Sequence, residues 1–167
     1  MAEMYGKLIT FNKNYRLTID PEMPKLPYQP LETDKSNKDY LTMRNKQFIP
    51  GLHDVYTSSI GTANGVYNKI KDNLDNGYYI YGKTGTIDGK LVGRDEEDHM
   101  LAVVITNKDI ATLNNVDDYK DLRFYVIYIA NFDYGKKGDN YSCTKSEAEI
   151  IKTVLKSEEF KNYMKGK

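Results

Sequence analysis

The sequence predicts an α+β fold, in which an antiparallel sheet of about three strands is flanked by helices, one of them at the C-terminus. Runs rich in aromatic and branched residues predict the strands, at 78–86, 100–107 and 123–132. No helical pattern separates these runs, which favours hairpin-type connections and antiparallel pairing in chain order. The last two runs are apolar without alternation, which is typical of strands buried on both faces.

The closing segment is predicted to form a helix from Ser146 to Met164. Ile151, Val154 and Leu155 supply an apolar stripe at helical spacing, which should lie on one face of the sheet. Ser146 and Glu149 fit a capping box at the start of this helix.

An amphipathic helix is predicted at the start of the chain. Met1, Met4, Tyr5 and Leu8 follow the i, i+3, i+4, i+7 spacing that places side chains on one helical face. Residues 16–19 then alternate in the manner of a short strand.

A proline-rich connection and two further helices are expected before the sheet. The connection is an extended, polyproline-like segment on a surface, because its prolines are spaced by three. These prolines are Pro21, Pro24, Pro27 and Pro30. A polar, exposed excursion at 33–39 follows. The helices are expected at 40–49, ended by Pro50-Gly51, and at 66–74.

We expect one domain over residues 1–167, with a helical and proline-rich region at 1–77, strands at 78–132 and a closing helix at 142–167. Lysine plus arginine equals aspartate plus glutamate at 24 each, so the charge does not indicate a nucleic-acid partner, and none is expected. No cofactor and no metal are expected. The acidic run at 95–98 is interpreted as the solvated tip of a loop rather than as a cation site.

The strand at 78–86 ends on polar residues and indicates a binding edge. An apolar strand that finishes on Lys83-Thr84-Gly85-Thr86 is expected to meet a ligand there. Gly85 lets another backbone approach the edge, while Lys83 and the two threonine hydroxyls offer a cation and hydrogen-bond donors for an anionic group.

The same residues also satisfy the P-loop pattern G-x-x-x-x-G-K-[ST], from Gly77 to Thr84. That motif needs a buried strand before its first glycine and a helix that starts at the lysine. Polar residues precede Gly77, and Thr-Gly-Thr-Ile-Asp-Gly follows Lys83. A nucleotide site is therefore the weaker alternative.

Lys83-Thr84-Gly85 resembles the Lys-Thr-Gly strand of penicillin-binding proteins and serine β-lactamases. Residues 1–10 look like the helix that follows the second active-site motif of transpeptidase domains. Gly61-Thr62-Ala63 resembles the G-T-A segment that lies one short helix before Lys-Thr-Gly, and the last two strands and helix are similar to the closing β-β-α of that family. The chain thus resembles the C-terminal portion of a transpeptidase domain.

The resemblance implies a D,D-transpeptidase that cross-links peptidoglycan by acyl transfer, binds β-lactams and works at the extracytoplasmic face of a bacterial inner membrane. A serine attacks the carbonyl of a D-alanyl-D-alanine stem peptide or of a β-lactam. By position, Lys83, Thr84 and Gly85 would belong to the catalytic site. Lys83 would supply positive potential for the substrate carboxylate, Thr84 and Thr86 would hydrogen-bond it, and the Thr86 N–H would serve as an oxyanion donor.

The sequence departs from the family pattern in two motifs. The family nucleophile lies in Ser-x-x-Lys, and a second motif is Ser-x-Asn, both upstream of Lys-Thr-Gly. No Ser-x-Asn occurs in this sequence, and its one Ser-x-x-Lys runs from Ser142 to Lys145, after the last strand, where it is interpreted as helix entry. We therefore expect this chain alone to be catalytically incompetent.

Partners are expected to complete the site. The resemblance implies a missing N-terminal half of the domain, and a sheet edge left exposed without it predicts a homodimer through that edge. The alternative to an enzyme is a non-catalytic module that binds cell-wall peptide or a partner protein.

Overall fold

The computed structural model describes residues 2–10, 12–16, 27, 42–74, 77–88, 96–113, 116–119, 121–136 and 143–166. Its helices are α1 (Ala2–Thr10), a π-helical segment (Arg44–Phe48), α2 (Ile49–Thr57), α3 (Asn64–Ile70), α4 (Cys143–Lys156) and α5 (Glu158–Lys165). Short 3₁₀ turns lie at Lys71–Asn73 and Val116–Tyr119. The strands are β1 (Tyr79–Asp88), β2 (Glu96–Thr106) and β3 (Phe124–Lys136).

The sheet is antiparallel with the strand order β1-β2-β3, and the α+β prediction is confirmed. Its register places Tyr81 opposite Val104, and Val104 opposite Val126. The strands run further than the sequence pattern indicated, because polar backbone can keep pairing beyond the apolar core. β1 therefore continues through Ile87 and Asp88, beyond its predicted end at Thr86, and residues 96–98 belong to β2 and not to a loop tip.

Both faces of the sheet are covered by apolar clusters. One cluster joins Ile80, Leu101 and Val103 to α3, α4 and α5. The other joins Tyr81 and Val104 to α1, to the start of α2 and to the loop after β2. Every side chain from 101 to 106 is buried, so β2 is buried on both faces as predicted.

The outer strand β3 is less buried than the sequence indicated. Ile127 and Ile129 are buried under the C-terminal helices, but Tyr128 on the opposite face is 47% exposed. Its hydroxyl donates to the sulfur of Met100 at 2.9 Å. A strand at the edge of the described sheet therefore keeps a partly open face despite its apolar sequence.

The buried stripe of α1 differs from the predicted one. Tyr5 and Ile9 are buried, whereas Met4 is 58% exposed and Leu8 is partly buried. The ring of Tyr15 packs directly over Gly6, where a Cβ would lie 1.9 Å from it. This contact, made by the segment that follows α1, covers the Gly6 side of the helix. Met1 lies outside the described residues.

Pro50-Gly51 does not end a helix. The chain is helical from 42 to 57, and Pro50 lies in the first turn of α2, where its missing N–H costs no hydrogen bond within that helix. The π-helical segment precedes it, and Ile49 N–H donates to the carbonyl of Arg44, five residues back.

The C-terminal helix is two helices rather than one. Ser157 is extended (φ −67°, ψ 145°) and its hydroxyl accepts from Phe160 N–H at 3.2 Å, which caps α5. The break turns Phe160 and Met164 into the core. Because α4 begins at Cys143, Ser146 lies inside the helix and is not its N-cap.

Several predicted features lie outside the described residues. They are the short strand after Arg16, the polyproline-like run apart from Pro27, the excursion at 33–39 and Ser142. No helix in the described part of the chain has the length and apolar character needed to cross a membrane.

Arg44 is 1% exposed and ties three parts of the chain together. Its guanidinium donates to the carbonyls of Leu8 (3.2 Å) and Ile9 (3.0 Å) in the last turn of α1. It also donates to the carbonyl of Ile110 (3.1 Å) in the loop after β2. A cation is favoured at a helix C-terminus, where the backbone carbonyls carry partial negative charge.

Arg44→Lys should lower the free energy of unfolding by about 2–4 kcal/mol, because one ammonium cannot reach carbonyls on both α1 and the loop. Urea unfolding at neutral pH measures this change. Lys46→Ala, an exposed position in the same π-helical segment, is the control and should stay within about 0.5 kcal/mol of wild type. Equal stability of Arg44→Lys and wild type would contradict the role given to the guanidinium.

Candidate functional site

Helix α2 runs along the outer edge of β1 as far as Gly82. His53 Nδ1 donates to the carbonyl of Ile80 at 2.8 Å, and its ring lies 5.5 Å from that of Tyr81. The side chain of the fully buried Tyr56 crosses β1, and its hydroxyl donates a hydrogen bond to the carbonyl oxygen of Ala102 on β2 at 3.0 Å. His53 thereby satisfies one carbonyl of the β1 edge, and Tyr56 packs against the strand at Gly82.

Gly82 makes this close approach possible. A Cβ at Gly82 would lie 1.9 Å from the carbonyl oxygen of Ala102 and 3.0 Å from the ring of Tyr56. Backbone atoms cannot move aside as a flexible side chain can, so the position requires glycine. The sequence includes Gly82 in the P-loop pattern and in a strand whose glycines let another backbone approach, but its packing against Ala102 and Tyr56 depends on residues that are distant in the chain.

The turn between α2 and α3 returns to β1 beyond this contact. Gly61 N–H donates to Ser58 O at 2.9 Å, and Ala63 N–H donates to Val55 O at 2.9 Å. Thr62 then shares a hydrogen bond of 2.7 Å with Thr84, hydroxyl to hydroxyl. The Gly61-Thr62-Ala63 and Lys83-Thr84-Gly85 segments are thus in direct contact.

The predicted site residues occupy consecutive positions of β1. Lys83 is exposed, and its ammonium donates to the carbonyl of Thr84. Successive residues of a strand point to opposite faces, so Lys83 lies on the face of Tyr81 and Thr84 on the face of Ile80. Within the described part of the chain, β2 is the only strand paired with β1. Residues 83–88 of β1 lie opposite residues 102–97 of β2, from Ala102 to Glu97.

Gly85 and Thr86 continue the same edge. Gly85 is partly buried, and a Cβ there would meet Met100 at 3.7 Å, an ordinary van der Waals contact. Thr86 pairs with His99 through the backbone, and its side chain lies outside the described residues. The structure therefore brings Thr62 to the middle of β1, beside Lys83, Thr84 and Gly85, and β2 is the one strand paired with these three residues in the described part of the chain.

The other face of β1 is held by a hydrogen-bonded loop. Tyr81 hydroxyl donates to Asp109 Oδ1 at 3.0 Å and accepts from Ile110 N–H at 3.2 Å. Burial raises the pKa of Tyr81, and the neighbouring Asp109 carboxylate raises it further. Burial also raises the pKa of Tyr56. Both phenols thus remain neutral at pH values well above the ordinary pKa of tyrosine.

The geometry around Lys83 is unlike that of a P-loop. The motif is β-strand from Tyr79 onward, and β1 continues to Asp88 without a helix at the lysine. Backbone amides in a strand cannot wrap a phosphate as a glycine-rich loop does.

Comparisons with protein-family models, with curated proteins and with solved structures found no match for this chain.

Gly82→Ala should lower the free energy of unfolding by about 2–4 kcal/mol, because the new methyl group would overlap the Ala102 carbonyl. Gly51→Ala is the matched control. Its Cβ would meet no atom within 4 Å, and alanine in a helix should stabilise by up to about 1 kcal/mol. Chemical unfolding of the two variants measures the difference, and equal stabilities would contradict the proposed close approach.

Alkaline pH should destabilise the protein through Tyr81 and Tyr56. A phenol whose pKa is raised on folding contributes stability that is complete below the unfolded-state pKa of about 10 and declines as pH rises beyond it. Tyr81→Phe should lose about 1–2 kcal/mol at pH 7.5 through its lost hydrogen bonds. As the pH rises from about 10 to 11.5, the free energy of unfolding of the variant should then fall less steeply than that of wild type.

Urea unfolding at these pH values checks the slope, and Tyr56→Phe provides an independent repeat. If the free energy of unfolding changed with pH in the same way for wild type and both variants, Tyr81 and Tyr56 would not be the source of the alkaline destabilisation.

Proposed function

We propose that this chain supplies the Lys-Thr-Gly strand of a serine D,D-transpeptidase site, which binds the carboxylate of a peptidoglycan stem peptide or of a β-lactam. The observation that carries this proposal is the hydrogen bond between Thr62 and Thr84. It joins the two segments, G-T-A and Lys-Thr-Gly, whose order and spacing resemble those of transpeptidases.

In this proposal the exposed ammonium of Lys83 supplies positive potential for the substrate carboxylate. The hydroxyl of Thr84 is oriented by Thr62 and donates to the same carboxylate. Gly85 leaves room for the substrate backbone to lie along the strand edge, and Thr86 N–H serves as an oxyanion donor. These roles combine a cation, hydroxyls and an open strand edge within four successive residues.

The nucleophile belongs to another polypeptide segment in this proposal. The sequence has no Ser-x-Asn, and Cys143 in its one Ser-x-x-Lys is the first residue of α4, beyond the last strand. The chain by itself then binds ligand reversibly and forms no acyl-enzyme. Its working location would be the extracytoplasmic face of a bacterial inner membrane.

Lys83→Ala should weaken reversible binding of acetyl-D-Ala-D-Ala by at least about tenfold, because a charge-assisted hydrogen bond is lost. Binding is measured by NMR titration of the full chain. Lys69→Ala removes an equivalent charge from the exposed surface of α3 and should leave the affinity unchanged. Equal affinity of wild type and Lys83→Ala would overturn the proposed site.

Gly85→Ala separates folding from binding. A Cβ at this position makes only an ordinary contact with Met100, so the variant should unfold within about 1 kcal/mol of wild type. It should nevertheless bind the peptide several-fold more weakly, because the added methyl group narrows the edge on which the peptide would lie.

A fluorescent penicillin tests the missing nucleophile. The chain alone should show no covalent labelling after denaturation. A serine-linked adduct, located by mass spectrometry of the digested protein, would show that the chain is catalytically complete and would contradict this part of the proposal.

A further inference from the structure

The ammonium of Lys83 occupies a backbone acceptor of its own strand. The side chains of Lys83 and Thr84 start on opposite faces of β1, but Lys83 Nζ returns to the backbone and donates to the carbonyl oxygen of Thr84. The hydroxyl of Thr84 is held by Thr62. This contact therefore brings the ammonium to the same residue that carries the oriented hydroxyl.

The carbonyl of Thr84 points to the outer edge of β1, away from β2. In an antiparallel pair, one residue directs its N–H and C=O to the partner strand and the next directs them away from it. The carbonyl of Ile80 is directed away, because it accepts from His53 on α2 at the outer edge. β1 and β2 pair residue for residue along the whole of β1. Thr84 lies four residues after Ile80, so its carbonyl points to the same edge.

The two hydrogen bonds on this edge differ in how firmly they are held. His53 belongs to α2, and its partly buried ring packs 5.5 Å from that of Tyr81, so the bond to Ile80 is part of the fold. Lys83 is exposed, and its ammonium is carried on a flexible stem. Lysine is a common means of keeping an edge strand from pairing with another chain. The bond to Thr84 therefore protects the edge and is open to exchange.

A ligand carboxylate is a better partner for this ammonium than the carbonyl. Hydrogen bonds between two ionised groups are stronger than those from an ammonium to a neutral oxygen. In an N-acyl amino acid, the amide nitrogen and the carboxylate are bonded to the same carbon atom. One end of such a ligand thus offers an anion for Lys83 and an N–H donor for the carbonyl of Thr84.

We propose that Lys83 caps the Thr84 carbonyl in the free protein, and that a ligand carboxylate removes this cap so that the carbonyl accepts the ligand's last amide N–H. The inference rests on the proposed function, because it places the carboxylate at Lys83. It adds a backbone acceptor to the site and selects ligands that carry a carboxylate beside an N–H group. A ligand without the carboxylate has to compete with the ammonium.

Two probes that differ only in the carboxylate test the inference: acetyl-D-Ala-D-Ala and its C-terminal amide. Lys83→Met removes the charge and keeps an unbranched side chain. It should weaken binding of the acid by at least about tenfold, because the charge-assisted hydrogen bond is lost. It should bind the amide about threefold more tightly than wild type does, because the Thr84 carbonyl is no longer occupied. NMR titration of the full chain measures all four affinities.

Lys69→Met is the matched control. It removes an equivalent exposed charge from α3 and should leave the affinities for both probes unchanged. The urea unfolding midpoint of Lys83→Met should match that of wild type, because the replaced side chain is exposed. Lys83→Arg keeps a cation at the edge, so it should show no gain in affinity for the amide.

The outcomes separate the two proposals. If Lys83→Met bound the acid more weakly but showed no gain for the amide, the cap would be overturned and the proposed function would stand. Failure of the wild-type chain to bind the acid would overturn the proposed function, and with it the removal of the cap by a carboxylate.

Discussion

The contact between Gly82 and the Ala102 carbonyl is the constraint on which the site depends. It allows the ring of Tyr56 to lie against β1 and its hydroxyl to reach β2, so one buried side chain spans two strands. Protein interiors are packed as densely as organic crystals, so a methyl group added at Gly82 could not be accommodated without moving the neighbouring backbone. The helix that carries Tyr56 is thereby held at one height along the strand edge.

That height decides which part of β1 is covered. Helix α2 ends at Thr57, and the chain then turns back through Thr62 to meet Thr84. The edge is covered by His53 at Ile80, whereas Lys83 is exposed in the described part of the chain. An edge strand with unpaired backbone groups invites another chain, so the position of this boundary separates a stable sheet from a surface that can bind.

The second face of the sheet is assembled by polar groups rather than by apolar packing alone. Arg44 joins the end of α1 to the carbonyl of Ile110, and the N–H of Ile110 donates to the hydroxyl of Tyr81. A buried guanidinium or phenol is tolerated only when its donors and acceptors are satisfied, so these bonds specify one arrangement of three distant segments. Lys83 lies two residues after Tyr81, so the bonds that fix Tyr81 also help to fix the position of Lys83.

The sequence alone determined the three strands, their order and the polar end of β1, because period, β-propensity and short connections are local properties. It also singled out Lys83, Thr84 and Gly85, whose residue types break the apolar run. Tertiary structure decided the inward side of α1, where the ring of Tyr15 packs over Gly6. The continuation of the helix through Pro50 and the break at Ser157 follow from local turn and cap geometry that the apolar pattern does not reveal. Tertiary structure likewise decided that Thr62 meets Thr84 and that Gly82 must lack a side chain, because chains brought together by packing leave no periodic signal in either segment.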